Sequence, residues 1–79
     1  MPKFYFHVQK NGELAKDVEG TELVDRHQAH REAVRTLAEM AAEEIPLDGS
    51  LRLTIAVADD TDQILFRTRV AYEPGEETD

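Results

Sequence analysis

The chain contains no cysteine, no tryptophan and a single serine, Ser50. Without cysteine there can be no disulfide, no thiolate zinc site and no thiol nucleophile. That absence also suits a reducing compartment, and the cytoplasm is the expected location. No apolar run approaches the ~20 residues that a membrane-spanning helix needs, and no membrane contact is expected. The opening Met1-Pro2-Lys3-Phe4 lacks the basic-then-apolar order of a secretory leader. Reaction signatures are missing as well: there is no phosphate loop, dinucleotide glycine pattern, His-Glu-x-x-His or serine elbow. Ser50 has no evident histidine partner. Neither an enzyme nor a cofactor is expected.

Size narrows the choice further. Seventy-nine residues make one domain, and a chain this short buries roughly 60–65% of its unfolded surface. That is enough for one thin core but not for a deep catalytic cleft. Stability should be modest unless a second subunit covers apolar surface. The formal charge is −8, and Glu73, Glu76, Glu77 and Asp79 carry four of those charges, which leaves −4 on residues 1–72. An acidic total opposes broad electrostatic binding to nucleic acid or anionic lipid. Residues 73–79, rich in Glu with Pro, Gly and Thr, cannot build a core and are expected to be a disordered tail.

Against these absences stands a clear hydropathy pattern. Lys3–Gln9 alternates with period two, Phe4, Phe6 and Val8 on one face and Tyr5, His7 and Gln9 on the other. Asn11-Gly12 follows, a strong hairpin signal because both residues tolerate positive φ. Glu13–Asp17 reads as a weak edge strand with Leu14 buried, Asp17-Val18-Glu19-Gly20 as a turn, and Glu22-Leu23-Val24 as the approach to a helix. Asp25 is suited to cap that helix, with Gln28 at the capping-box position and Val24 placed to staple onto Ala29.

From Asp25 to Ile45 the apolar period becomes helical, with a stripe of Val34, Leu37, Met40, Ala41 and Ile45 widened by Ala33 and Ala38. Arg31, Arg35, Glu39 and Glu43 form the solvated side, and Arg35 with Glu39 has the i,i+4 spacing of a weak pair. Pro46 ends the helix, and Leu47-Asp48-Gly49-Ser50 returns the chain. A second hairpin comprises Leu51–Ala58 and Gln63–Tyr72 about the turn Asp59-Asp60-Thr61-Asp62. In its last strand Ile64, Phe66, Thr68, Val70 and Tyr72 share one face, and Leu65, Arg67 and Arg69 the other.

The expected fold is therefore α+β, a β-β-α-β-β chain over residues 1–72. A four-stranded antiparallel sheet carries one helix on one face. A strand order of 2-1-3-4 keeps every pair antiparallel, and an order with the last strand beside the first is the alternative. Phe4, Phe6, Val8, Leu53, Ile55, Val57, Phe66 and Val70 would meet Val34, Leu37 and Met40 in the core.

The opposite sheet face carries Tyr5, His7, Arg52, Thr54, Arg67 and Arg69, an unusual set for an acidic chain. Protein contact ranks first for this face, as a homodimer or with another protein, since small domains with a bare sheet face often dimerise or dock. Cations interleaved with rings also resemble single-stranded nucleic-acid platforms, but one exposed ring is a thin platform. The plainest alternative is a solvated face whose arginine stems cover their neighbours.

Metal binding ranks third. His27 and His30 have an i,i+3 spacing that could place two imidazoles on one ion, with Glu22 or Asp25 as third ligand. Two histidines at the start of a helix are more often plain surface residues. Asp59-Asp60-Thr61-Asp62 has the look of a calcium loop but lacks its glycine and distant glutamate, and aspartates favour turns in any case. His7 alone on its strand reads as a hydrogen-bonded residue.

The opening Met1-Pro2-Lys3-Phe4-Tyr5-Phe6-His7-Val8, the pair Asn11-Gly12 and the stretch Asp17-Val18-Glu19-Gly20-Thr21-Glu22-Leu23 together resemble one family. It comprises short alphaproteobacterial proteins of unknown function, domain-of-unknown-function family 6894. Ala29, the Glu32-Ala33 pair and an aspartate turn before the final strand fit the same pattern over residues 1–72 or so. The resemblance implies the α+β fold and no activity, cofactor or catalytic residue. Members of that family usually have glycine where Asp62 stands here, and a more apolar final strand than Phe66-Arg67-Thr68-Arg69.

Overall fold

A computed structural model describes residues 1–44 and 49–75 of the chain. Its elements run β1 (Lys3–Lys10), β2 (Glu13–Ala15), β3 (Thr21–Glu22), α1 (Arg26–Glu44), β4 (Leu51–Ala58) and β5 (Ile64–Tyr72). The main sheet has the order β2-β1-β4-β5 with all neighbours antiparallel, as the 2-1-3-4 order anticipated. The short β3 is an addition: it pairs the start of β1, Lys3 with Glu22 and Phe4 with Thr21. The expected helix end at Ile45 and Pro46, the loop residues Leu47 and Asp48, and tail residues 76–79 lie outside the described residues. Residues 73–75 are exposed and in no regular element.

Asn11 and Gly12 both have positive φ, 48° and 93°, and so close β1 onto β2 in a two-residue turn whose twist matches that of the strands. Asn11 also reaches across the sheet. Its N–H donates to the Arg52 carbonyl at 2.9 Å, and its Oδ1 accepts the Arg52 N–H at 2.8 Å. The turn fixes the register Gln9↔Leu14. Leu14 therefore joins the side of the sheet away from α1 and is 60% exposed, contrary to its expected burial.

Asp25 caps α1 as expected, accepting the Gln28 N–H at 2.9 Å. Gln28 Oε1 reaches back to the Val24 N–H at 2.8 Å. Val24 does not staple. It is exposed, and Leu23 buries in its place. The buried stripe of α1 is Ala29, Ala33 and Leu37, with Met40 and Ala41 beside it. Val34 is half exposed, so the stripe is rotated from the expected one. Alanine at two successive turns brings the helix axis close to the sheet, and the bulkier Val34 is left on the shoulder. Arg35 pairs with Glu32 at 2.6 Å rather than with Glu39. Lys10 and Glu44 form an ion pair that links the end of β1 to the end of α1.

Central strand β4 has neighbours on both edges and α1 over one face, so Leu53, Ile55 and Val57 are fully buried. Phe4, Leu51 and the three buried helix residues complete the centre of the core, with Phe6, Val8, Phe66 and Val70 packed at its margin.

A β-bulge separates expectation from structure in β5. Val57 pairs with Phe66, but the next residue, Ala58, pairs with Ile64. Leu65 is the extra residue, and the slip exchanges the two faces. Leu65 consequently packs against the core, while Ile64 turns to the open side, the reverse of simple alternation. Among the described residues no helix is long and apolar enough to cross a membrane.

Candidate functional site

The sheet face away from α1 divides into two regions along the strand direction. At one end Arg52, Thr54, Arg67 and Arg69 line a shallow depression of about 340 Å³ with Gln9 and Gly12. Cross-strand pairing explains the grouping, since Thr54 lies opposite Arg69 and Ala56 opposite Arg67. All three arginines are exposed. The nearest carboxylate to any of them among the described residues is Glu73, whose Oε1 lies 4.0 Å from an Arg52 guanidinium nitrogen. The arginine end is thus a small cationic surface on an anionic chain.

The other end of this face is covered. The segment between β2 and β3 folds back over β1, and the carboxylate of Asp17 holds it there. Oδ1 accepts the Glu19 and Gly20 N–H groups at 3.1 and 3.0 Å, and Oδ2 accepts the Phe6 N–H at 3.1 Å. Burial pushes the Asp17 carboxyl up, but the N–H donors of Gly20, Phe6 and Glu19, with the His7 imidazole nearby, outweigh it and hold it below its ordinary 3.8. Gly20 makes the fold-back sterically feasible. Its φ is +75°, and a side-chain carbon placed there would lie 2.9 Å from both Lys3 Cγ and Tyr5 Cε2. Gly20→Ala should therefore cost about 1–3 kcal/mol, from left-handed backbone strain together with the displaced Tyr5 ring. A urea midpoint compared with that of the unsubstituted chain measures it.

His7 lies under this cover. The expectation of an exposed platform of Tyr5, His7, Arg52, Arg67 and Arg69 therefore needs revision at two positions. His7 is only 8% exposed, and Tyr5 is half-buried with its ring edge near Gly20. The cause is the Asp17 clasp, a contact across eleven residues of sequence that alternation within β1 does not encode. His7 Nδ1 accepts the backbone N–H of Asp17 at 3.1 Å. A neutral imidazole that accepts at Nδ1 carries its proton on Nε2. Among the described residues Nε2 is buried with no hydrogen-bond partner, and Asp62 Oδ1, the nearest carboxylate oxygen, is 3.9 Å away.

Asp62 comes from the β4–β5 turn. There Asp59 Oδ1 accepts the Thr61 N–H, the Thr61 hydroxyl and the Gln63 N–H at 2.8, 2.6 and 3.0 Å. The Thr61 hydroxyl foremost, then the Gln63 N–H, lower the Asp59 carboxyl below its ordinary value. This turn is self-capped and does not form a calcium loop. Asp62 closes it at φ +67°, a left-handed conformation that favours glycine. Asp17, Asp59, Asp60 and Asp62 thus converge with His7 and Lys16 around an open cleft of about 160 Å³.

The histidines of α1 have a different setting. The His30 ring packs edge-on against Phe66, centroids 5.1 Å apart at 83°, which accounts for it as a packing residue. Among the described residues no group of three His, Asp or Glu side chains is placed to hold a metal ion.

Comparison with known families places the chain by its sequence. The family described as Domain of unknown function (DUF6894) matches residues 3–71, which takes in α1 and all of the described strands but for Tyr72 at the end of β5. No curated protein and no solved structure matches the chain.

Proposed function

The chain belongs to the DUF6894 family, and from that premise, which carries no activity with it, we propose a binding module rather than an enzyme, one that acts through protein contact with a second copy of itself. The observation that carries this reading is the cluster of Arg52, Arg67 and Arg69 around Thr54 in a chain of net charge −8. The same chain supplies a matching counter-charge in Glu76, Glu77 and Asp79, beyond Glu73, which lies 4.0 Å from Arg52 of its own chain. In a two-fold dimer the acidic segment of each copy lies on the arginines of the other, and the two contacts are identical by symmetry.

Pairing of the free β5 edges is the less favourable geometry. Arg67 and Arg69 flank the middle of β5, so a two-fold axis there would set like charges against each other. Exposed arginine–carboxylate pairs contribute about 0–1 kcal/mol each. Three pairs in each of two contacts reach at most about 6 kcal/mol, from which the cost of association is subtracted, so the dimer is weak and its dissociation constant lies at ~0.1–1 mM or above. The total charges repel. At ~0.15 M salt, however, the screening length is ~8 Å, and contact pairs outweigh distant like charges.

The test is solution mass by light scattering over ~10 µM to ~1 mM protein. Dimer should appear toward the upper end, and about 0.5 M salt should dissociate it. The double variant Arg67→Glu, Arg69→Glu should be monomeric throughout. So should a second variant, Glu76→Lys with Glu77→Lys, while an equal mixture of the two should recover a heterodimer. A monomeric parent chain at the highest concentration, or a double variant that still dimerises, overturns the reading. Salt-sensitive binding of oligothymidylate to the monomer would move the function to nucleic acid instead.

A further inference from the structure

The cavity around His7 lies at the opposite end of the sheet face from the arginines, and its chemistry is independent of self-association. Three features there are unexplained by packing. Among the described residues the Nε2–H of His7 is a donor without a partner, on a side chain that is only 8% exposed. Asp62, whose Oδ1 is 3.9 Å from that nitrogen, holds a left-handed backbone that glycine adopts more readily than aspartate. Finally, four carboxylates share the cavity wall with one lysine, Lys16.

The hydrogen-bond inventory fixes what an occupant must offer. Asp17 has both oxygens engaged by backbone N–H groups. Asp59 has its Oδ1 engaged three times. The acceptors left toward the cavity are Asp60, Asp62 and the second oxygen of Asp59. A metal ion is a poor match, because Nε2 presents a proton and not a lone pair, and freeing it would break the bond from Asp17 N–H. An anion is a poor match among aspartates. The occupant must accept one hydrogen bond from Nε2–H and present positive charge to the turn carboxylates.

We propose that this cavity binds a small hydroxyalkyl-ammonium group, an amino alcohol. Its hydroxyl oxygen accepts from His7 Nε2–H and donates to Asp62, the exposed Asp62 side chain turning aside to open the buried nitrogen to it. Its ammonium lies among the carboxylates of Asp59 and Asp60. The space of about 160 Å³ between these side chains is open to solvent on one side and admits a ligand of a few heavy atoms. The Asp62 backbone strain is then the cost of placing a carboxylate over His7 where glycine would relax the turn.

The experiment follows the imidazole resonances of His7 by nitrogen–proton NMR while ethanolamine, propylamine or ethylene glycol is added at constant ionic strength. Before addition, His7 should show the tautomer protonated at Nε2. Ethanolamine should shift the Nε2 signal saturably. Propylamine, which lacks the hydroxyl, and ethylene glycol, which lacks the charge, should each bind at least about tenfold more weakly, the worth of one charge-assisted hydrogen bond. Asp62→Gly, which suits the turn backbone and so keeps the fold, should weaken ethanolamine by a similar factor.

Equal response to ethanolamine and propylamine overturns the hydroxyl contact. No saturable shift at all, with only water in the cavity, overturns the site. A response to magnesium chloride in place of the amine makes it a cation site instead. A shift with O-phosphoethanolamine equal to that with ethanolamine overturns the free amino alcohol as ligand, since esterification removes the hydroxyl donor. Because monomeric protein suffices for every arm, failure here leaves the dimer proposal standing, and the reverse.

Discussion

Asp17→Ala is expected to cost about 2–4 kcal/mol of folding stability, with residues 16–20 the first part of the chain to detach. Asp17 is one side chain serving three backbone donors, those of Phe6, Glu19 and Gly20. Once alanine removes the acceptor, the exposed Glu19 N–H finds water. The Phe6 and Gly20 groups are partly enclosed, and they carry most of the penalty. Hydrogen bonds to a charged acceptor contribute roughly 1.5–3 kcal/mol each, less where water substitutes. A chain of this length has about 4–12 kcal/mol in total, so the loss is a large share. Hydrogen exchange at Phe6 and Gly20 should accelerate before the exchange of β4 does.

The same carboxylate sets an acid limit. Its folded pKa lies below the ordinary 3.8, so its contribution is complete above that value. It is lost as the pH falls from about 3.8 through the folded pKa. The unsubstituted chain should therefore lose stability across that window by more than Asp17→Asn does, and urea midpoints at pH ~5 and pH ~3 compare the two.

How much of this was legible in the sequence depends on the range of the interaction concerned. Period-two alternation in β1 and β4 and the 3.6-residue period of α1 are local, and they suffice for the type and order of these elements and for the antiparallel sheet, whereas the two-residue β3 is too short to leave a period. The Asn11-Gly12 turn and the Asp25 cap were legible because their chemistry is confined to four residues. Errors arose where one residue changes a register. The bulge at Val57/Ala58 exchanged Ile64 and Leu65, and hairpin periodicity holds no record of an extra residue. Val34 is less buried than the helical period implies, because Ala29 and Ala33, whose small size reads as weak hydrophobicity, are the helix residues closest to the sheet.

The His7 site divides along the same line. The arginine end of the face follows from strand parity alone, since Arg52, Arg67 and Arg69 each lie on regular, paired strands. Burial of His7 depends on two loops that close from different parts of the chain. A signal for it was present in Asp17-Val18-Glu19-Gly20, where an aspartate three residues before a glycine can bind that glycine's N–H. Reaching the N–H of Phe6 with the other oxygen is a tertiary event, and no spacing rule announces it.

Ile55→Ala is expected to be the most damaging single change, about 2–5 kcal/mol, enough to leave a substantial unfolded fraction in a domain this small. Ile55 is fully buried at the middle of β4, paired with Val8 on one side and Thr68 on the other. Alanine would remove three methyl or methylene carbons from the point where both neighbouring strands and α1 meet. Neither strand can move in to fill the space without breaking its ladder to β4, so the cavity term adds to the lost transfer energy. The control is Leu14→Ser. Leucine and isoleucine have equal hydrophobic size, yet Leu14 stands 60% exposed beside Gln9, and its replacement should cost at most about 0.5 kcal/mol. Paired urea melts of the two variants decide where the core lies. Equal losses would mean that β2 folds its leucine inward and that the whole open face, with the arginine cluster on it, has been assigned to the wrong side of the sheet.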